Sequence, residues 1–480
     1  MKLREIAVKE ALENARKTME EQKDLPGAVR TLIALLITII ELFADRFLKN
    51  STNSSIPPSQ DPNREKKGKK NKEGKKPGAQ EGRKGITLEP VENPDKIVNL
   101  KIKKSDLPDG VTCRDAGHIA RQVVDIKIIK IVTEYRAQVL IDAAGNQYVA
   151  KFPHDVTQPI QYGKSVKAHA VYMSMYQLIP YNRIQDYFAN ELKISVSVGS
   201  LFNFNQEVAD LLTDFEEVCK EALKSSPCIL ADETGINIDK KRYWLHVACN
   251  GKWVFFDIHK ARGSEATDAI GILPGYQGVL CHDGWKPYDT YESCRHSLCN
   301  AHHLRDLQAI IDNNPTKWAE EMMVFLRETN KIVDEAGGCL SEKDQEEQRK
   351  KYREILKRGE VETPPPIVDP TLKKRGRPKK GKARNLLERF INREDDVLRF
   401  MTLDYVPFTN NGAENDIRMT KVQQKISGCF RAIEGAKNFC RIRGYLLTCQ
   451  KHNVNPTQAL DILLNKKLPD FCANYRNYAE

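Results

Sequence analysis

The sequence predicts an α/β protein in which short buried strands run into carboxylates and helices supply most of the remainder. Three observations predict it. Ile229-Leu230-Ala231 is a short apolar run bounded by Pro227 and Gly235, read as a buried strand that ends at Asp232 and Glu233. Tyr243–Cys249 and Trp253–Ile258 are aromatic and β-branched and flank Asn250-Gly251, a hairpin signal. Val279-Leu280-Cys281-His282 then repeats the first theme, ending in Asp283 and Gly284, 51 residues beyond Asp232.

A bare acid at the mouth of an apolar strand is costly unless solvent, a base or a metal meets it. A single such acid is usually a turn residue. Two on one sheet suggest a metal site. A third acid, Glu414, lies in Asn410-Asn411-Gly412-Ala413-Glu414-Asn415-Asp416-Ile417-Arg418, where a helix is expected to start near Asn411. Asn411 and Glu414 have capping-box spacing, so Glu414 either closes that helix start or faces a metal. Arg418 lies one turn later on the same face, followed by the basic residues Lys421, Lys425, Arg431, Lys437, Arg441 and Arg443.

Composition narrows the partners. The 480 residues are 40% hydrophobic, enough for a sizeable core. Lys and Arg number 76 against 65 Asp and Glu, a net charge of +11 that favours a polyanion, although many basic surfaces bind nothing. Twelve cysteines without an amino-terminal signal peptide read as reduced thiols of a cytoplasmic protein. The longest mainly apolar run, Leu32–Ile40, is far short of the roughly 20 residues a bilayer span needs, so no membrane is expected.

In chain order, residues 1–50 form a helical segment. Leu25, Val29, Leu32, Leu36, Ile39 and Phe43 follow the spacing of a coiled-coil seam, favouring self-association into a homo-oligomer over a plain core helix. Residues 51–86 are a flexible basic linker. From Arg64 to Lys84 ten Lys or Arg, including Lys66, Lys67, Lys69 and Lys70, face three acids, which suits a solvated arm or phosphate contact. Residues 87–160 read as a small β-rich domain, with strands at Val123–Val132 and Tyr135–Ile141. Cys113 has no cysteine partner there, so a four-ligand zinc site is not expected.

Residues 161–224 read as short helices, broken at Pro180 and capped near Ser197. They suit either a helix-turn-helix-like DNA-binding segment or a plain packing unit. Residues 225–303 hold the strands and the first two acids. Cys294, His296, Cys299, His302 and His303 follow; their density could suggest zinc, but His302 and His303 cannot point the same way on a helix, and such clusters often serve packing. Residues 304–399 read as helical. Ser341–Glu362 carries seven acids and seven bases, as a solvated or coiled-coil helix would. Lys373-Lys374-Arg375-Gly376-Arg377-Pro378-Lys379-Lys380 looks like an AT-hook for a narrow minor groove, or a solvated linker. Residues 400–480 carry the third acid and further helices.

Three acids on separate elements are what paired Mg²⁺ ions need, since such ions take hard oxygen ligands and can activate a water or a 3′-hydroxyl at phosphorus. The motifs Ala231–Gly235, His282-Asp283-Gly284-Trp285-Lys286-Pro287-Tyr288, Cys299-Asn300-Ala301-His302-His303-Leu304-Arg305 and Asn410–Arg418 resemble the transposases of the insertion sequence 66 family. So do Asn53-Ser54-Ser55 with Pro57-Pro58-Ser59, Leu88–Pro94 and Leu178-Ile179-Pro180-Tyr181. The resemblance implies an RNase H-like DDE core with Asp232, Asp283 and Glu414 as catalytic and metal-binding acids, using Mg²⁺ or Mn²⁺. It implies a helical insertion from about 304 to 399 between the second and third acids. Cys299, His302 and His303 are candidate supporting residues.

DNA contacts are expected at Lys66, Lys67, Lys69, Lys70, Arg375, Arg377, Arg418, Lys421 and Lys425. Many family members carry paired cysteines after the basic arm as a zinc-binding module; here the matching stretch reads Cys113-Arg114-Asp115-Ala116-Gly117 and the later pair is absent. The expected function is a DNA transposase acting at the nucleoid on transposon ends and target DNA. The alternatives are an RNase H-like nuclease, a non-catalytic DNA-binding protein derived from a transposase, and a zinc-scaffolded regulator.

Overall fold

Five strands form a mixed sheet that carries the larger of two main apolar cores. The structure is a computed structural model and describes residues 26–48, 88–103, 112–313, 315–366 and 380–479, with a few isolated positions besides. An amino-terminal helix, α1 (Gly27–Leu48), is followed by a two-strand ladder of β1 (Val139–Ile141) and β2 (Gln147–Val149). Four helices come next: α2 (Lys164–Val171), running into a π-turn over Tyr172–Tyr176, α3 (Tyr181–Asn190), α4 (Val198–Asp210) and α5 (Thr213–Lys224). Pro180 precedes α3, and the Ser197 hydroxyl caps α4 by accepting from Ser200 N, both as the sequence predicts.

The central sheet contains β3 (Cys228–Ile238), β4 (Lys241–Cys249), β5 (Val254–His259), β6 (Val279–His282) and β7 (Arg295–Leu298), with α6 (Ser264–Ile270) between β5 and β6. Its order is β5-β4-β3-β6-β7, antiparallel through β5, β4 and β3 and parallel from β3 through β6 to β7. The hairpin expected around Asn250-Gly251 is the β4–β5 pair. After β7 come α7 (Asn300–Asn313), α8 (Lys317–Glu335), α9 (Glu342–Glu362), α10 (Lys382–Asn392) and α11 (Glu394–Leu398). The chain closes with α12 (Asn411–Ser427), α13 (Ile433–Lys451), α14 (Pro456–Leu464) and α15 (Asp470–Ala479).

Two apolar cores result. The first joins both faces of the sheet to α2–α5 and α12–α15, around Phe188, Phe215, Val254 and Tyr445. The second lies within α7–α11, around Trp318, Tyr352, Phe390 and Leu387. Helix α9 therefore does not lie free in solvent despite its charge. Tyr352, Ile355 and Leu356 form a buried stripe, and the Tyr352 hydroxyl donates to Phe390 O at 2.9 Å.

Two expectations change. Strand β3 does not end at Asp232–Gly235 but continues to Ile238, turning into β4 through Asp239 and Lys240 at φ 47° and 61°, the left-handed pair of a tight hairpin. The mouth next to Asp232 is made instead by β6, whose pairing with β3 stops at Leu230–Cys281. The run Val123–Val132 was expected as a strand in a β-rich domain. It has no regular secondary structure, and Val123, Ile126 and Ile131 are exposed. Strand propensity expresses fit to a pleated, half-buried surface, and no neighbouring strand supplies one. Within 87–160 the ladder among the described residues is the three-residue pairing of β1 with β2. The seam of α1 also faces outward, with Leu32, Leu36, Ile39 and Phe43 exposed. No helix among the described residues is long and apolar enough to cross a membrane.

Gly278 admits β6 to the sheet. A Cβ there would collide with the Tyr276 hydroxyl and stand 2.8 Å from Pro227 O, whose carbonyl accepts from Val279 N. Gly278→Ala should destabilise the protein by about 1–3 kcal/mol through forced backbone shifts. Chemical denaturation checks this, and unchanged stability would contradict the packing described.

Candidate active site

Parallel pairing of Leu230 with Cys281 puts Asp232 and Asp283 at equivalent positions two residues further along adjacent chains. Helix α12 packs on β3 and brings the third acid alongside. Asn410 fixes that approach. Its side-chain Nδ2 donates to Ala231 O at 2.8 Å, and its backbone N donates to Cys299 Sγ at 3.1 Å. One residue thus ties the start of α12 to β3 on one side and to the start of α7 on the other. Asn410 also makes no side-chain cap on α12, and Glu414 Oε1 has no hydrogen-bond partner, so the capping-box reading of Glu414 is not realised.

The electrostatics follow from this convergence. Loss of solvent, then the Glu233 charge, push the Asp232 carboxyl up to about 8, with Asp283 and Glu414 adding to the shift. Its Oδ1 accepts from Glu233 N at 2.9 Å. Asp283 accepts from Trp285 N at 2.8 Å, immediately after Gly284 at φ 87°. Glu414 Oε1 stands 3.8 Å from His302 Nδ1 and 3.7 Å from Arg305 Nη2, both on α7. Burial, followed by the Arg305 guanidinium, holds His302 below its usual value.

Glu233 occupies a separate niche. Its side chain is 2% exposed; Oε1 accepts from Arg262 Nε at 2.9 Å and Nη2 at 2.7 Å, and Oε2 accepts from the Tyr288 hydroxyl at 2.8 Å. Burial is the larger influence and raises its pKa despite both donors. Sequence reasoning noted Glu233 only as a neighbour of Asp232 and missed Arg262, Tyr288 and Asn410. The residues in Trp285-Lys286-Pro287-Tyr288 carried the available signal for Tyr288; Arg262 lies 29 positions from its partner with no local pattern to mark it.

The supporting cluster divides. Cys299, His302 and Glu414 place ligand atoms within 4.8 Å of one another. His303 turns the other way, with Nδ1 3.0 Å from Asn300 Oδ1 and its ring against Phe390 at 5.0 Å, so its role is packing within the second core. His296 belongs to neither: its Nδ1 lies 3.1 Å from His282 Nε2. Gly284 N donates to His282 Nδ1, leaving His282 Nε2 as the donor to His296. With Asp289, these two histidines form a second compact group, but this bonding occupies both ring nitrogens of His282.

The expected DNA-contacting residues also divide. Lys66, Lys67, Lys69, Lys70, Arg375 and Arg377 lie outside the described residues. Arg418 and Lys425 are exposed on α12. Lys421 is half-buried and donates Nζ to Gly235 O. Further along the basic run, Arg443 is buried and donates to Met175 O and Tyr176 O, closing the π-turn after α2, while Arg441 pairs with Glu216 at 2.8 Å. These last two are structural cations.

The donor set suits a hard divalent cation. Three carboxylates come from separate elements, and one holds a buried oxygen without a hydrogen-bond partner. Asp232, Asp283 and Glu414 are not among the groups of described residues whose ligand atoms all lie within 4.8 Å of one another.

A carboxyl raised in the folded state keeps its proton where the unfolded chain has lost it, so stability falls as pH rises from about 4 to about 8. Asp232→Asn removes that penalty. Without added divalent metal, it should raise the melting temperature by a few degrees at pH 9 and much less at pH 4. Equal shifts at the two pH values would contradict the burial of this charge.

The family described as "Transposase IS66 family" matches residues 159–438, more than half of the chain and all the elements that carry the site. Residues 8–89 match a family of unknown function (DUF6444). No curated protein matches.

Proposed function

The chain belongs to the IS66 transposase family, and from that premise we propose that it cuts and rejoins the ends of a DNA element by metal-dependent phosphoryl transfer at Asp232, Asp283 and Glu414. The observation that carries this reading is the convergence of the three acids from β3, the end of β6 and the first turn of α12. The strand order β5-β4-β3-β6-β7, with three antiparallel strands followed by two parallel ones, supports an RNase H-like core. Mg²⁺ or Mn²⁺ bound by these acids would supply an activated water or 3′-hydroxyl and charge stabilisation at the leaving oxygen.

The chain's own residues prepare the site. Asp232 and Asp283 occupy equivalent positions beyond the last β3–β6 pair, close enough for their charges to interact, and a phosphodiester is proposed to bind between them. Asn410 holds the start of α12, and the Arg305 guanidinium, 3.7 Å from Glu414 Oε1, offsets the charge on Glu414. Arg418, exposed one turn beyond Glu414, is in reach of the flanking DNA backbone. The basic linker and the Arg375–Arg377 motif extend that electrostatic footprint, while the unpartnered apolar seam of α1 supports self-association into a homo-oligomer.

Purified protein incubated with element ends and Mg²⁺ should nick them and join them to target DNA. Asp232→Asn, Asp283→Asn and Glu414→Gln should each lower cleavage by about 10³-fold or more while salt-dependent DNA binding survives. Normal cleavage by these variants would refute the assignment. Cleavage without joining of pre-cut ends would indicate a hydrolytic nuclease instead.

A further inference from the structure

Beside the acids, two arginines and two tryptophans alternate in a ladder. The Arg242 guanidinium lies 4.9 Å from the Trp244 ring centre, Arg262 lies 4.7 Å from the same ring, and Arg262 lies 4.2 Å from Trp285. Both ends are positioned by the fold. Trp244 sits opposite Gly235 in the β3–β4 register, and a Cβ at Gly235 would strike the Arg242 guanidinium, so this glycine leaves the space in which that side chain lies. At the other end, Trp285 N donates to Asp283 Oδ1. In the middle, Arg262 is held on Glu233 Oε1 by two nitrogens.

Core packing explains only part of these rungs: Trp285 packs on the first core and meets the Tyr288 ring edge-on at 5.8 Å. Of the four tryptophans, Trp253 and Trp318 are buried, whereas Trp244 and Trp285 retain accessible surface. Arg242 is exposed, and the Arg262 side chain is 40% exposed although its hydrogen bonds are made. A partly open row of indole and guanidinium planes ending on an acid of the site is a stacking surface.

The geometry points to a site for an unpaired nucleobase at the end of a DNA strand whose backbone enters the carboxylate cluster. Every base offers a π-face, so indole and guanidinium planes hold an unstacked base without reading its sequence. Arg242 and Arg262 add positive charge for the adjoining phosphates, and Lys421 is close enough to Arg242 for the two charges to interact. An unpaired terminal base also avoids the unpairing cost that an internal base would incur. The ladder thereby favours strands that are frayed or already cut, and sets the terminal nucleotide next to Asp283.

This inference rests on the proposed DNA-processing reading and can fail separately from it. Full-length protein is titrated with a paired duplex and with the same duplex carrying a short unpaired overhang, following tryptophan fluorescence. Because Trp253 and Trp318 are buried, overhang-specific quenching reports on Trp244 and Trp285. The overhang should bind more tightly, and 5-iodouracil at the unpaired terminus should photocross-link to Trp244 or Trp285. Trp285→Leu and Trp244→Leu, which keep apolar bulk but remove the π-face, should lose about tenfold of the overhang preference. Trp285→Phe should retain most of it. Wild-type preference in both leucine variants, or cross-linking only elsewhere, would overturn the ladder. Duplex binding and cutting without overhang preference would overturn the ladder alone, whereas no DNA binding at all would remove the underlying reading and the ladder with it.

Discussion

Carboxylates crowded at a partly desolvated sheet edge are the constraint on which the arrangement depends. A lone acid at this depth would drive its own protonation, as the raised Asp232 indicates. The surroundings answer that tension in two ways. Glu233 is hydrogen-bonded by Arg262 and Tyr288 and becomes part of the wall. Glu414 is approached by His302 and Arg305 at distances too long for hydrogen bonds, so its charge is moderated without its oxygen being occupied. One acid is built in and another is left available.

Where the sheet opens is decided by strand lengths. β6 is four residues long, and its pairing with β3 ends at Leu230–Cys281, so the next backbone bonds on that edge of β3 are those of Asn237 and Asp239 with Phe430. Beyond this point β3 is held along one edge by β4, through a ladder that reaches Ile238–Lys241, and on the other by Asn410 at Ala231 O, Lys421 at Gly235 O and a bridge of Ile238 with Phe430. Continuous pairing with β4 on one side gives the acids a rigid support, and on the other side strand pairing is interrupted between Leu230 and Asn237. Lys421 and Arg242 lie near that stretch of β3, both cationic and both accommodated at Gly235, which has no side chain to exclude them.

Much of this was legible in the sequence wherever a local pattern carried it. Ile229–Ala231 and Val279–His282 are apolar runs, and they are strands. Asn250-Gly251 marked a hairpin, and Asn411 opens α12. The second half of β3 was not legible, because Asp232-Glu233-Thr234-Gly235 has neither alternation nor bulk and becomes strand through the partner β4. The opposite error fell on Val123–Val132, where residue type suggested a strand but no partner is present to complete one. The three acids are proposed from their positions at element ends and from motif resemblance. Asn410, Arg262 and Tyr288 join segments tens to hundreds of residues apart, and single-sequence periodicity has no term for such encounters.

The helical insertion folds about its own core, yet it lies in the chain between the second and third acids. Synthesis therefore has a direction that matters for the proposed chemistry. A nascent chain that has released β3, β6 and all of α7–α11 holds two of the acids and the entire insertion, but neither Asn410 nor Glu414. Its β3 edge still lacks the helix that closes one side. Completion of the site is deferred until α12 leaves the ribosome and docks, so truncated products ending inside the insertion retain the basic amino-terminal stretch without the full set of acids.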